Sequence, residues 1–276
     1  MGWDSVREVY AVHMENCLHQ KCPLGKRVIG RAESRDMVHW SDAETILVPD
    51  EEDSPDTEFY ALPVITYESM YVGLLWIFRT TNTTHHPQII FSRDGIRYNR
   101  DYREPFIRRG SGNDFDSTSI YAMAPVAHDD RLLTYYAGTN WRSPETLEAL
   151  GEKATAACGV AVTPRDGFVS LDGARTQVSE VVTRAFSFSG SRLSLNLRAA
   201  LQQWGAGPCE VRVEILGPNH EPLPSFTLER SDPITTTSFD HAVSWQGETD
   251  LRRLSGRPIR LRFCFRNAKL YAFQFR

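Results

Sequence analysis

The chain has 276 residues, 41% of them hydrophobic and 24% charged, with a formal net charge of −4. That is enough for one large domain or two ordinary ones of globular composition. A negative balance argues against a nucleic-acid surface, which needs a basic face. No apolar run approaches the roughly 20 residues of a membrane helix, so neither nucleic acid nor membrane is an expected partner.

Strand signals dominate from the start. Met1-Gly2-Trp3-Asp4 lacks the basic-then-apolar pattern of a secretory leader, and the compartment stays open. Val6 to Met14, Arg27 to Asp36 and Val38-His39-Trp40 form a first strand set. A fuller copy follows: Leu62 to Tyr67, Met70 to Arg79, Gln88 to Asp94, then Ile96-Arg97-Tyr98. A third reads Ala124 to Ala127, Leu132 to Thr139, Cys158 to Thr163, then Phe168-Val169-Ser170. Asp36, Asp94 and Asp166 mark a repeated turn, and Asp-Gly suits tight hairpins with positive φ at both central residues. A strand set repeated at this spacing predicts radial blades, each unable to bury its faces alone. The first copy lacks its front half, which suggests that the chain begins inside a blade. One helix is expected, from Ser143 to Lys153, with Ser143 as N-cap and Pro144 in the first turn.

The pattern changes near Asp172 to Val182. Beyond it come alternating strands: Ala185 to Phe188, Arg192 to Leu197, Glu210 to Leu216, His241 to Trp245, Ile259 to Phe265 and Ala268 to Phe275. Such a series predicts an antiparallel β-sandwich. The expected division is a propeller-like domain over 1–174 and an accessory sandwich over 175–276. The fold class is therefore all-β, about three propeller blades followed by a sandwich.

In a propeller, ligand groups come from the ends of inner strands. The segments before Pro63 and Pro125 place carboxylates and a tyrosine there: Asp56, Glu58 and Tyr60 in one, Asp114, Asp116 and Tyr121 in the other. Two carboxylates facing one pocket are what glycoside hydrolysis requires, so Glu58 and Asp116 are the catalytic candidates. Asp56 and Asp116 equally suit turn or cap roles. Tyr60, Tyr121, Asn140, Trp141 and Arg142 are candidates for sugar contact, while Trp76 fits the core better. Arg79 suits a sugar hydroxyl or carboxylate, Glu58 itself, or a surface ion pair. Of His85 and His86, one suits a pocket hydrogen bond; adjacent histidines point apart and do not make a metal site. His13, Cys17, His19 and Cys22 are metal-ligand types crowded into ten residues, unlike spaced zinc knuckles, and no metal is expected. Five scattered cysteines suggest no disulfide framework. No phosphate loop, GxSxG elbow or HExxH helix occurs, so no cofactor is expected.

Ser34-Arg35-Asp36-Met37-Val38-His39-Trp40 and Ser92-Arg93-Asp94-Gly95-Ile96-Arg97-Tyr98 resemble the S-x-D-G-x-x-W outer-strand signature of five-bladed β-propeller glycosidases. These are glycoside hydrolase families 32, 43 and 68 and their kin. The resemblance covers about Val6 to Leu171, and the following strands resemble the sandwich appended to family 32 enzymes. It implies a partial five-bladed propeller, a carbohydrate substrate, and Glu58 in the place of the acid glutamate. It also implies a first-blade aspartate and an Arg-Asp-Pro motif, and neither has a counterpart in this sequence. A protein that hydrolyses or only recognises glycosidic bonds is the resulting expectation, with a non-catalytic carbohydrate binder as its alternative.

Overall fold

The computed structural model describes residues 2–19, 25–199 and 207–276. The described residues are all-β apart from one short α-helix and two 3-10 turns, and they form two compact units that divide between Val162 and Thr163.

The first unit holds three repeated strand sets. Set one is β1 (Gly2–Asp4), β2 (Val9–Leu18), β3 (Lys26–Ser34) and β4 (Glu44–Leu47), antiparallel in chain order. Set two has β5 (Thr57–Ala61) and β6 (Val64–Tyr67), both paired with β7 (Met70–Arg79), then β8 (Thr84–Ser92) and β9 (Tyr98–Asn99). Set three repeats this with β10 (Ser119–Ala122) and β11 (Val126–His128) on β12 (Arg131–Thr139), then β13 (Ala156–Pro164). A parallel bridge from Ser119 to His85 links sets two and three. Each innermost strand is broken at its proline, Pro63 or Pro125, because a proline nitrogen has no N–H for the ladder. Helix α1 (Pro144–Leu150) is capped by Ser143, whose side chain accepts from the Thr146 N–H.

The repeated turn is built by side chains. Ser34 Oγ accepts the N–H of Met37, and Asp36 Oδ1 accepts those of Val38 and His39. Ser92 and Asp94 do the same for Gly95, Ile96 and Arg97. Only one residue in each turn has positive φ, Met37 or Gly95, so these are not the tight hairpins expected from Asp-Gly. The third copy departs further: Asp166 itself carries the positive φ.

Outer strands also differ from expectation. Val38-His39-Trp40 gives only a bridge from Trp40 to Ser34, and Glu44–Leu47 is the outer strand instead. Phe168-Val169-Ser170 forms no strand, and the next two residues, β14 (Leu171–Asp172), pair in the second unit.

Sets one and two share a core of Ile29, Phe59, Leu62, Leu75, Ile77 and Ile90. Charges are buried beside it. Arg31 donates to Asp4 at 2.9 Å, and Tyr71 from the next set donates to the other oxygen at 2.6 Å. Burial alone would raise the Asp4 pKa, but the Tyr71 and Arg31 hydrogen bonds outweigh it and the net shift is downward. Arg100 bonds both oxygens of Asp53 and lies over the Phe59 ring, tying the loop after β9 to the loop before β5.

The second unit is a β-sandwich of two antiparallel sheets. One runs β14–β20 (Ala268–Phe275)–β16 (Leu193–Ala199)–β18 (Ser238–Ala242); the other runs β15 (Ser179–Val182)–β19 (Arg260–Arg266)–β17 (Glu210–Leu216). Leu193, Leu195 and Leu197 face Val211, Val213 and Ile215 across one core. The segment Ala185 to Phe188 is not a strand; it makes a single bridge from Phe186 to Ile259. Trp245 anchors the core, 1% exposed, with its Nε1–H donated to the Val213 carbonyl at 2.8 Å. Trp245→Ala is expected to cost about 3–5 kcal/mol through the cavity and the lost hydrogen bond. Urea unfolding of the whole chain measures it, and a loss below about 1 kcal/mol would contradict this role.

Candidate functional site

Glu58, Phe78 and His85 share one face of set two through the pairs Glu58–Phe78 and Phe78–His85. The β-bulge between Phe59 and Ala61 turns Tyr60 outward, 38% exposed, with its ring edge on His85 at 4.9 Å. From set three, the Ser119 and Tyr121 hydroxyls lie 3.2 and 3.3 Å from His85 Nδ1. Trp76 stacks obliquely on Tyr121 and donates to the Ala122 carbonyl. Inner-strand residues from two sets thus converge on one histidine.

From set one, Arg27 reaches this cluster. Its Nη1 donates to Glu58 Oε2 at 2.7 Å, and its Nε lies 3.3 Å from Glu15 Oε2. Its guanidinium also sits over the Tyr60 and Phe78 rings. Burial alone lowers the Arg27 pKa, but Glu58 and then Glu15 outweigh it, and the net shift is upward. Glu58 Oε1 makes no hydrogen bond to a described residue.

His85 is 7% exposed, and burial, then the charges of His86 and Arg27, push its pKa down to about 4. The imidazole is neutral near pH 7. Its Nδ1 meets two hydroxyls, and its Nε2 is buried with no partner among the described residues. An unspent imidazole nitrogen and an unspent carboxylate oxygen on one face of a sheet are what a hydroxyl-bearing ligand needs.

The structure does not bring Asp116 to Glu58. Asp116 accepts from Tyr136 at 2.9 Å and packs against Gly138. Tyr136 and Gly138 share a face with Ala122 and Ile120, opposite the face of Tyr121 and Ser119. A two-carboxylate site made of Glu58 and Asp116 is therefore corrected: alternation along β10 and β12 separates them.

Several other expected contacts are taken up internally. Arg79 pairs with Asp56, not Glu58, and Thr81 donates to the same carboxylate. The Thr81 hydroxyl leads the causes holding Asp56 down to about 2. Asn140 clamps the helix-bearing loop, donating to the Lys153 carbonyl and accepting the Thr155 N–H. Trp141 is half-buried; Arg142 is exposed, its N–H bonded to Thr146. Asp114 is a loop former, accepting the Ser111 N–H. No group of three His, Cys, Asp or Glu is placed for a metal among the described residues. Cys17 is disulfide-bonded, which corrects the expectation from cysteine spacing, and Cys22 lies outside the described residues.

Sequence reasoning missed Arg27 and Glu15. Aligning the repeats on Ser34 and Ser92 puts Arg27 at the position of His85 and Glu15 at that of Trp76; reading the sets column by column would have found both. A separate cavity of about 620 Å³ is lined by Asp4, His13, Arg31, Tyr71, Trp76 and Met123. Its polar groups bond one another, so it offers a ligand little that is unpaired.

No protein-family model and no curated protein matches this chain. Among solved structures it is similar to an N-acetylgalactosamine deacetylase from F. plautii, at 13% identity and TM-score 0.44 over 60% of this chain and 49% of that one. A glycoside hydrolase matches at 14% and 0.43 over 58% and 43%. A Bombyx mori GH32 β-fructofuranosidase matches at 10% and 0.32 over 97% and 77%. The chain spans about half the length, or less, of the first two. These three TM-scores all lie below 0.5.

His13, His85 and His86 all have pKa values lowered from 6.5 to about 4, chiefly by burial. A depressed folded-state value means a contribution complete above about 6.5 and lost as pH falls toward 4. Unfolding free energy should drop across that window, and His85→Asn should flatten the slope. An NMR titration giving His85 a midpoint near 6.5 would refute the assignment.

Proposed function

We propose that the first unit recognises carbohydrate at the Glu58 cluster. The observation that carries this is the placing of Glu58 Oε1, the unpartnered His85 Nε2 and the exposed Tyr60 ring together in set two, where Arg27 of set one and Tyr121 of set three reach them. Sugars present hydroxyls that both donate and accept, beside apolar C–H faces that lie on aromatic rings. A carboxylate oxygen, an imidazole nitrogen and a ring suit that surface. Tyr121 orients His85, and Arg27 fixes Glu58. Trp141 and Arg142 are proposed as outlying sugar contacts; Asp56, Arg79 and Asn140 shape the loops that carry the site. In this reading residues 1–174 form a glycosidase-like part of five-bladed type, and 175–276 an accessory sandwich.

Hydrolysis of a glycosidic bond is the second reading. One observation favours it: Glu15 and Glu58 flank the same guanidinium, and the reaction needs two carboxylates about the scissile bond. Glu58 in its protonated form would give its proton to the leaving oxygen, and Glu15, in place of the displaced Asp116, would take a proton from the attacking water.

Calorimetric titration against a panel of oligosaccharides tests both. Binding is expected, weakened at least about tenfold, or about 1.4 kcal/mol, by Glu58→Gln. An unchanged affinity in that variant, or no binding across the panel, would overturn the site. Chromatographic products that vanish with Glu58→Gln and with Glu15→Gln would establish hydrolysis; binding without product would leave recognition alone.

A further inference from the structure

The cavity that Trp76 and Met123 help to form begins where the Glu58 cluster ends. In set two the pairs Glu58–Phe78 and Ala61–Trp76 lie along one strand pair. Phe78 and Trp76 stand two residues apart on β7, so they share a face and are about 7 Å apart along it. Phe78 and its neighbour His85 belong to the cluster; Trp76 and Ala61 are cavity wall. Set three repeats the step. The Tyr121 hydroxyl lies 3.3 Å from His85, and Met123, two residues on, is cavity wall. The Trp76 and Tyr121 rings, with centroids 5.2 Å apart, meet where the two regions join.

The chemistry of the two regions differs. In the cavity the charged and N–H-bearing side chains have partners in place. Asp4 accepts from Arg31, from Tyr71 and from the N–H groups of Val6 and Arg7. His13 meets Arg31 at Nε2 and also bonds the Gly95 backbone. The Trp76 Nε1–H is spent on the Ala122 carbonyl. Ser5 and Thr66, both exposed, add two hydroxyls. Most of the remaining wall is apolar and includes Trp3, Ala11, Ala61, Pro63, Val64 and Met123. Trp3 and Met123 are 53% and 57% exposed and stand outside either hydrophobic core. The volume of about 620 Å³ falls within the roughly 300–1,000 Å³ of small-molecule pockets. An apolar cavity of about 150 Å³ already holds benzene.

Resting on carbohydrate recognition at the Glu58 cluster, we propose that the cavity takes the apolar aglycone of the same ligand, so that the ligand class is an aryl or alkyl glycoside. The sugar ring keeps its hydroxyls on the Glu58 oxygen and the His85 nitrogen. One step of about 7 Å along the strand lets a group joined through the glycosidic oxygen enter the cavity. Trp3, Trp76 and Met123 are the residues that set this specificity. An aryl or alkyl group laid against them removes apolar area from water on both sides. A second sugar there would bring hydroxyls to groups already paired with one another, and an unpaired buried hydroxyl costs affinity.

Calorimetric titration with matched methyl and phenyl thioglycosides of glucose, galactose, xylose, arabinose and fructose tests this. The sulfur resists cleavage, so binding alone is read. For the sugar that binds, the phenyl compound is expected to bind at least about tenfold more tightly than its methyl partner. Trp3→Ala and Met123→Ala, both at exposed positions, should each pull that ratio towards one with unchanged circular dichroism. Glu58→Gln should weaken both compounds and keep the ratio. Equal affinity of wild type for the two compounds, or a ratio indifferent to both cavity variants, would overturn the aglycone assignment and leave the Glu58 site standing. Binding of neither compound for any of the sugars would overturn the site, and this inference with it.

Discussion

A sheet of four strands has two faces and cannot cover either of them alone. That constraint governs the first unit. Set two gains its core by laying Phe59, Leu75, Ile77 and Ile90 against Ile29 of set one. It joins set three at the inner end, through the Ser119–His85 bridge and the Trp76 hydrogen bond to Ala122. Hydrophobic area removed from water is the main gain at such junctions. It is also why strands far apart in sequence end side by side.

The junctions are polar as well as apolar, and that determines where a site can form. Arg31, Asp4 and Tyr71 satisfy one another inside the first junction, as do Arg100 and Asp53. Buried charges paired in this way hold register but have little left for a ligand. At the inner ends the balance differs. Arg27 binds one oxygen of Glu58, and His85 spends one nitrogen on two hydroxyls. The unspent atoms both belong to set two, where set one meets Glu58 and set three meets His85, and the functional proposal follows from that shortfall.

Much of the fold was legible in the chain. Met70–Arg79, Glu210–Leu216 and Ala268–Phe275 are strands with the expected bounds, because Val, Ile, Tyr and Phe recur at period two between turn residues. Pro63 and Pro125 marked the inner strands, and Ser143-Pro144 marked the helix start. Outer strands were not legible: Glu44–Leu47 carries two exposed residues in four, and nothing local distinguishes Phe168–Ser170 from a strand. The strand forms instead at the next two residues, Leu171–Asp172, which pair with β20 about a hundred residues away.

The candidate site divides in the same way. Composition and spacing, by themselves, determined an all-β chain, its repeated strand sets, the change to a sandwich, and the presence of Glu58, Tyr60 and Tyr121 at inner-strand entrances. Tertiary structure alone decided that Asp116 looks away from Glu58, that Arg79 belongs to Asp56, and that Arg27 and Glu15 come to the cluster. The physical reason is that side-chain period along a strand is local and can be read from sequence. Which face meets which neighbour is set by how the sheets stack to bury their apolar sides, and a single residue of register reverses it.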